Sequence, residues 1–367
     1  MRILLVTGSF PPMKCGVGDY SFNLANALIN ESGMCVGVLT STLAECGGLI
    51  DGVEVFPIIK NWSLVEILKV TKIIKDWSPD IVHIQYPTQG YGNGILPWIL
   101  PLIAFLMGKK VVQTWHEGFS RRIAPKLFLK SIVPSALVFV RPQYEGVLHP
   151  QLRWALWRKK TIYIPNASAI CRANLDRHVR DKIRNEYLKA QARLIVFFGF
   201  VYPHKGVEFL FDIADPAVDQ IIIAGEIDEA GEYCKEILRR SVAEAWVGKV
   251  TITGFLPSDD VASLLAIADA VILPFRSGGG EWNTSIHGAV LNGAFVITTS
   301  LTRNGYDKRR NVYYAKLDDI QEMKSALLMY AGKKRIYDVE IDRDEWLGIA
   351  NKHRLLYASI LTCDGFL

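Results

Sequence analysis

The stretch KVTITGFLPSDDVASLLAIADAVILPFRSGGGEWNTSIHGAVLNGAFVITT, Lys249 to Thr299, decides the fold. Three short runs stand out in it: "KVTITG" (249–254), "AVILPF" (270–275) and "AFVITT" (294–299). Each is nearly continuous in β-branched and apolar residues, and helical stretches separate them. Strands apolar on both faces, joined by helical crossovers, argue for a parallel sheet covered on both sides.

The same alternation extends outward. Upstream lie "RLIVFFG" (193–199) and "DQIIIAG" (219–225), and downstream "NVYYA" (311–315). The first half repeats the pattern with "ILLVT" (3–7), "CVGVLT" (35–40), "VEVF" (53–56), "DIVHIQ" (80–85), "KVVQTW" (110–115), "ALVFV" (136–140) and "TIYIP" (161–165). Between the first two, Tyr20, Leu24, Ala27 and Leu28 share one helical face, and Gly33 stops that helix. The runs around 63–77 and 95–107 supply further crossovers. The segment 166–192, with Asn166 and a charged tract from Arg172 to Lys189, reads as a joint. The expected architecture is therefore α/β, with two Rossmann-like, doubly wound domains facing each other across a cleft. The first covers 1–168, the second 169–343, and a final amphipathic helix lies within 344–367. In such sheets ligands bind beyond the carboxyl ends of the strands.

Bulk properties narrow the class. A chain of 367 residues is comfortable as two domains, and 50% hydrophobic residues promise a large core. The net charge of +5 suits anionic ligands, but no stripe of basic and aromatic residues suggests nucleic acid. Cys15, Cys35, Cys46, Cys171, Cys234 and Cys363 form no C-x-x-C pair, so buried reduced thiols in a cytosolic protein are expected. The N-terminal "MRILLVTGSFPP" reads as a short strand rather than a signal peptide. The longest apolar run, Ile95 to Met107, has 13 residues and two prolines, too few to span a bilayer. It reads as a buried helix kinked at Pro101. A peripheral contact with a membrane surface stays open, because Lys109 and Lys110 follow at once.

Four motifs carry chemistry. The first, "GSFPPMKCGVGDYSFNLANAL" from Gly8, places Gly16 and Gly18 at the opening of a helix. It lacks the third glycine of a dinucleotide fingerprint, so an ordinary glycine turn and a ligand-facing loop are both open. In the second, "VVQTWHEGF" (111–119), His116 follows the end of a strand and Glu117 stands beside it, on the ligand side of a parallel sheet. His83, inside a strand, reads as a core histidine. The third is "FFGFVYPHKGVEFL" (197–210), where Gly199 ends a strand. Lys205 there is expected to begin a helix, where a cation opposes the dipole unless an anion is bound. That points to a phosphate partner, with a solvated lysine as the alternative. The fourth is the glycine run of the opening stretch. Gly278, Gly279 and Gly280 are expected to bring free amides against an anionic ligand, with Asn283, Thr284 and Ser285 adding polar groups as helix 282–292 begins. A tolerant surface loop is the competing reading. No D-x-D motif stands in a loop of that kind, and Asp342-x-Asp344 reads as a helix cap.

Taken in order, the glycine loop after the first strand, "TWHEG", "G-x5-KG", "ADAVILP" and "NGAFVITT" resemble the GT-B glycosyltransferases, in the large retaining group called family 4. The resemblance covers nearly the whole chain. It implies a nucleoside-diphosphate sugar held by the C-terminal domain and an acceptor held by the N-terminal one. It further implies transfer to a hydroxyl with retention, hexosyl transfer in glycan biosynthesis, and no bound metal or other cofactor. On this resemblance His116 lies beside the acceptor and transferred sugar, with Glu117, Gly16 and Gly18 on the acceptor side. Lys205 holds the donor phosphates, with Gly199, Gly225, Phe255, Leu256, Gly278, Gly279, Gly280, Glu281, Asn283, Thr284 and Ser285 around the donor. The C-terminal helix usually crosses back onto the first domain.

Two departures stand out. The family's arginine in the "G-R-x-x-x-x-KG" block is Phe200 here. Its two glutamates, eight positions apart, fall on Gly280 and Gly288, and Glu281 is one place out of register. The working expectation is a cytoplasmic, metal-independent glycosyltransferase, with contact at the membrane's cytoplasmic face left open. A degenerate subunit that binds without transferring is the first alternative. A nicotinamide-dependent dehydrogenase is the second, disfavoured because no G-x-G-x-x-G follows a strand directly.

Overall fold

The computed structural model describes residues 1–44, 52–117, 133–142, 144–157, 159–188, 192–280, 282–335 and 345–362. The chain divides into two compact units, Met1–Ala167 with Asp344–Leu367, and Ser168–Arg343.

In the first unit, β1 (Arg2–Val6), β2 (Cys35–Ser41), β3 (Val53–Ile59), β4 (Ile81–Tyr86), β5 (Lys110–Trp115), β6 (Ala136–Phe139) and β7 (Lys160–Tyr163) form one sheet. Its order is β3-β2-β1-β4-β5-β6-β7, and every neighbouring pair is parallel. Side chains alternate across the sheet, so each strand serves two cores. Leu4, Val6, Val82, Ile84 and Val111 pack with the inner faces of α2 (Ile67–Trp77), α3 (Leu96–Leu106) and α4 (Pro150–Leu156). Ile3, Leu5, Ile81 and Val112 pack with α1 (Gly16–Ile29) and the C-terminal helix Glu345–Leu361. That last helix lies along α1 and buries Ile349, Ala350, His353, Leu356 and Tyr357.

One expectation fails in this unit. The apolar helix α3 is not buried all round: Leu102, Phe105 and Leu106 face outward. Pro101 is accommodated within the helix. Among the described cysteines, Cys15 and Cys234 are buried as expected, but Cys35 and Cys171 are exposed. Cys46, Cys363, Asp342 and Asp344 lie outside the described residues.

The second unit repeats the plan. Strands β8 (Arg193–Phe198), β9 (Asp219–Ala224), β10 (Val250–Ile252), β11 (Ala270–Leu273), β12 (Val296–Thr299), β13 (Gly305–Asp307) and β14 (Val312–Ala315) stand in the order β10-β9-β8-β11-β12-β14-β13. Only β13 is antiparallel, at the edge beside β14. Around the sheet lie α5 (Arg177–Tyr187), α6 (Leu210–Ile213), α7 (Glu232–Ser241), α8 (Ser258–Ile267), α9 (Thr284–Leu291) and α10 (Ile320–Tyr330). The charged tract after Arg172 is mostly helix rather than linker. Asp176 caps α5 by accepting from the Val179 amide at 2.8 Å, and Arg184 ties it to Asp269 at 2.6 Å.

Each sheet reverses its strand order beside its first strand, between β1 and β4 and between β8 and β11. The chain segments leaving the carboxyl ends of those strands diverge there and leave room for a ligand. Lys205 and the glycine run follow β8 and β11 in the second unit. In the first unit the loop to α1 follows β1, and His116 follows β5, on the far side of β4.

Candidate functional site

In the second unit the loops after β8 and β11 are locked together. The Arg276 amide donates to the His204 carbonyl at 3.1 Å. A Cβ on Gly206 would overlap the Pro274 carbonyl, so only glycine lets the two loops approach so closely. Across the end of the sheet, the Gly199 amide donates to the Ala224 carbonyl at 3.0 Å, and Gly225 packs under the Gly199 carbonyl. Ser285 of α9 is close by: a Cβ built on Gly199 lies 3.6 Å from its hydroxyl. Gly199, Gly225, Lys205, Ser285 and residues 274–280 and 282–284 therefore lie in the segments that follow the ends of β8, β9 and β11.

Lys205 does not begin an α-helix. It ends a single 3-10 turn, Pro203–Lys205, after which Gly206 adopts a left-handed conformation at φ +67°. Opposition to a helix dipole is therefore not what makes this lysine unusual. Its surroundings are. The ammonium sits 4.6 Å from the centre of the Phe275 ring and has no ion-pair partner among the described residues. Half-buried on an aromatic wall, it loses hydration, and burial pulls its pKa from 10.5 to about 8. A cation stripped of water without a counter-charge is costly until an anion arrives.

The glycine run has a different explanation from the one expected. The Gly278 amide donates to the Phe275 carbonyl at 3.1 Å, and the Gly279 amide to the Thr299 carbonyl at 2.7 Å. Both donors are thus committed to the fold rather than offered to a ligand. Gly279 is buried, and a Cβ there would come within 2.8 Å of Ile286 and Phe275 and overlap the Thr298 hydroxyl. Gly280 sits at φ +56° with the Trp282 ring against it. Close packing and a left-handed turn account for these two glycines. At the start of α9, Asn283 accepts from the Ser285 amide at 3.0 Å and caps the helix. The Thr284 and Ile286 amides have no partner among the described residues, so the anion-accepting capacity of this helix start survives in part. Glu281 lies outside the described residues.

Gly288 faces inward on α9, and a Cβ there would meet the Ser168 hydroxyl at 2.9 Å and Ile170 at 3.3 Å. A side chain there is crowded, and Ser168 and Ile170 would have to give way to admit one. Phe255 and Leu256 follow β10, two strands from β8; Phe255 is exposed and Leu256 packs on the core. Two features were not anticipated. Phe200, Tyr202 and His204 form a ladder of stacked rings 5.9 and 5.7 Å apart, beside Lys205. Their i, i+2, i+4 spacing was the available signal. Glu208 accepts from both Tyr233 and Arg276, pinning the loop after β11 to the segment after Lys205. That link joins residues 68 apart in sequence, and no local pattern announces it.

In the first unit, His116 sits just past β5 with its amide on the Tyr86 carbonyl at 2.9 Å. Its Nε2 donates to Gln85 Oε1 at 2.9 Å, and its ring meets Tyr20 edge-on at 4.7 Å. This tautomer leaves Nδ1 with a lone pair. Burial pulls the imidazole down to a pKa of about 3, so it is neutral at physiological pH. Below it, His83 is fully buried and bonded to Tyr357 at 2.6 Å and Thr114 at 2.7 Å, a core histidine. Glu117 is exposed over its residue as a whole, and the partial desolvation of its carboxylate by surrounding protein raises its pKa. Gly16 opens α1 in free space, while Gly18 packs against the Ser9 carbonyl, where a Cβ would lie at 3.1 Å. Asp19, in the first turn of α1, is raised from 3.8 to about 6 by burial. Nothing in the sequence flagged it, because its burial depends on what surrounds the helix start.

Among the described residues no group of three or more His, Cys, Asp or Glu could hold a metal ion, and no helix is long and apolar enough to cross a membrane.

Comparison with known proteins agrees with this geometry. Residues 192–331 match the family of glycosyl transferases group 1. The whole chain has the fold of GT-B glycosyltransferase structures. Sucrose-phosphate synthase from Thermosynechococcus elongatus superposes with a TM-score of 0.72 at 15% identity, over 99% of this chain and 100% of that one. HepE of Anabaena, in complex with UDP and glucose, gives 0.68 at 17% identity, over 99% and 96%. The catalytic domain of starch synthase IV from Arabidopsis thaliana, bound to ADP and acarbose, gives 0.69 at 12%, over 98% and 99%. No curated protein gives a significant sequence match.

Proposed function

We propose, from the match of residues 192–331 to glycosyl transferases group 1, that the chain moves a hexosyl group from a nucleoside-diphosphate sugar to an acceptor hydroxyl. Lys205 carries this reading. It is a half-buried cation with no ion-pair partner among the described residues, in the loop after β8 and against Phe275 of the loop that leads to α9. That arrangement suits a diphosphate. As the sugar bond breaks, negative charge grows on the leaving diphosphate, and a dehydrated ammonium stabilises it more strongly than water-exposed lysine would. Neutral His116, with its Nδ1 lone pair, can accept a hydrogen bond from a sugar or acceptor hydroxyl. Retention at the transferred carbon and independence of metal belong to the same proposal, as does a cytoplasmic site of action with contact at the membrane's inner face. The structural neighbours crystallised with UDP and ADP suggest UDP- and ADP-sugars as the first donors to try.

A second reading has its own support. Gly288 is packed against Ser168 and Ile170, and Gly280 has a left-handed backbone with Trp282 against it, so the family's glutamate would be crowded at the first position and strained at the second. A subunit that binds nucleotide without transferring would look like this. Calorimetric titration with UDP and ADP, followed by turnover of a panel of nucleotide sugars, tests both. Binding with hydrolysis or transfer supports the enzyme, binding alone supports the second reading, and no binding by either nucleotide overturns the site.

A further inference from the structure

We propose that the outer face of the α2–α3–α4 layer docks on the surface of an anionic lipid bilayer. The three helices cover the same face of the first sheet, and α2 packs directly on α3. Their inner sides are buried: Val70, Ile74 and Trp77 from α2, Leu96, Leu100 and Ala104 from α3, Leu152 and Leu156 from α4. Their outer sides should then be polar, as on any surface helix. They are not. All eleven residues of α3 are apolar, and Leu102, Phe105 and Leu106, at i, i+3 and i+4, project outward with Leu106 74% exposed. Just before and within α2, Val65 is 86% and Leu68 79% exposed. In and just after α4, Trp154 is 70% and Trp157 74% exposed. Large apolar side chains on three helices of one layer exceed the scatter expected on a free surface.

Charge selects the partner. The same helices present Lys69, Lys72, Lys75 and Arg153, and Lys109 stands just beyond α3. Asp76 on α2 and Asp80 just beyond it are the exposed carboxylates there among the described residues, and Glu66 before α2 is buried and paired with Lys69 at 2.8 Å. An apolar face with exposed tryptophans and a basic border matches the boundary between headgroups and acyl chains of an acidic membrane. At eleven residues, α3 lies on such a surface and does not span it. A second copy fits less well, since a two-fold interface would set like charges against each other.

The test is co-sedimentation with phosphatidylcholine vesicles, with and without phosphatidylglycerol, at low and high salt. It uses the full chain without nucleotide, so its outcome is independent of any transferase activity. Binding is expected to the acidic vesicles only and to weaken with salt. Phe105→Ser with Leu106→Ser should abolish it, and Lys72→Glu with Lys75→Glu should weaken it about tenfold or more. Melting temperatures should match the wild type, because all four side chains are outside the core. Equal binding by wild type and both variants would overturn the proposal, and so would equal binding to neutral and acidic vesicles. Failure to bind any vesicle, with dimerisation in light scattering that Phe105→Ser removes, would assign the face to self-association instead.

Discussion

Replacing Lys205 by methionine should make the ligand-free protein more stable and its nucleotide binding worse. Methionine keeps the contact with Phe275 and drops the charge. In the wild type, burial pulls the ammonium from 10.5 to about 8. At about 1.4 kcal/mol per pKa unit, the charged form costs on the order of 3 kcal/mol at most, and less after discounting residual solvent access. The sign follows from proton counting. Between pH 8 and 10.5 the unfolded chain holds the proton and the folded chain has lost it, so stability rises with pH across that window. Below about 8 both states are charged and the cost is fully present. Lys205→Met should therefore raise the melting temperature at pH 7 and remove the alkaline rise. Binding has the opposite dependence. A diphosphate holds the proton on, so wild-type affinity should fall about tenfold from pH 7 to pH 9, as the free lysine deprotonates. The variant should bind UDP or ADP weakly at both pH values. Paired melting curves and calorimetric titrations at pH 7 and 9 make the check. A variant that is destabilised at pH 7, or that retains pH-dependent affinity, would refute the claim that this is an unpaired, dehydrated cation awaiting an anion.

Other outcomes follow from the same geometry. Gly279→Ala should cost roughly 1–3 kcal/mol in denaturant unfolding, because its Cβ would enter space held by Ile286, Phe275 and Thr298; a neutral result would restore the surface-loop reading. His116→Ala should cut turnover much more than nucleotide affinity, measured by titration alongside donor consumption. Since burial holds this imidazole near a pKa of about 3, the pH–rate profile of the wild type should show no limb between 6 and 7 that His116→Gln removes. Asp19→Asn should stabilise the chain at pH 7 by on the order of 2 kcal/mol but not at pH 3. Its raised pKa of about 6 means that the wild type loses stability as pH climbs from about 4 to 6, and melting curves across that range would show whether it does.

The sequence determined the architecture because strand and helix here differ in period and length, and both are local properties. Continuous apolar runs such as "DQIIIAG" and "AVILPF" can only be strands buried on both faces, and their alternation with helical stretches leaves a parallel sheet. Strand β13 escaped, since three residues paired antiparallel at an edge have no period to read. The sequence also set Lys205 and Gly199 after β8 and Ser285 after β11, and the structure puts Gly199 beside Ser285 and Lys205 against Phe275. Why those residues matter was decided by tertiary packing. The spacing around Lys205 looked like a helix start, but the left-handed turn at Gly206 ends a 3-10 turn there instead. The lysine is made unusual by Phe275, seventy residues on. Three consecutive glycines looked like backbone offered to a ligand. The structure spends two of their amides on Phe275 and Thr299 and fills the space around Gly279 with Ile286 and Thr298. Solvation and steric room depend on atoms brought from elsewhere in the chain, so no local pattern encodes them. That is also why the outward face of α3 came as a correction: an apolar run shows that a helix avoids water, but not whether the protein itself supplies enough surface to cover it.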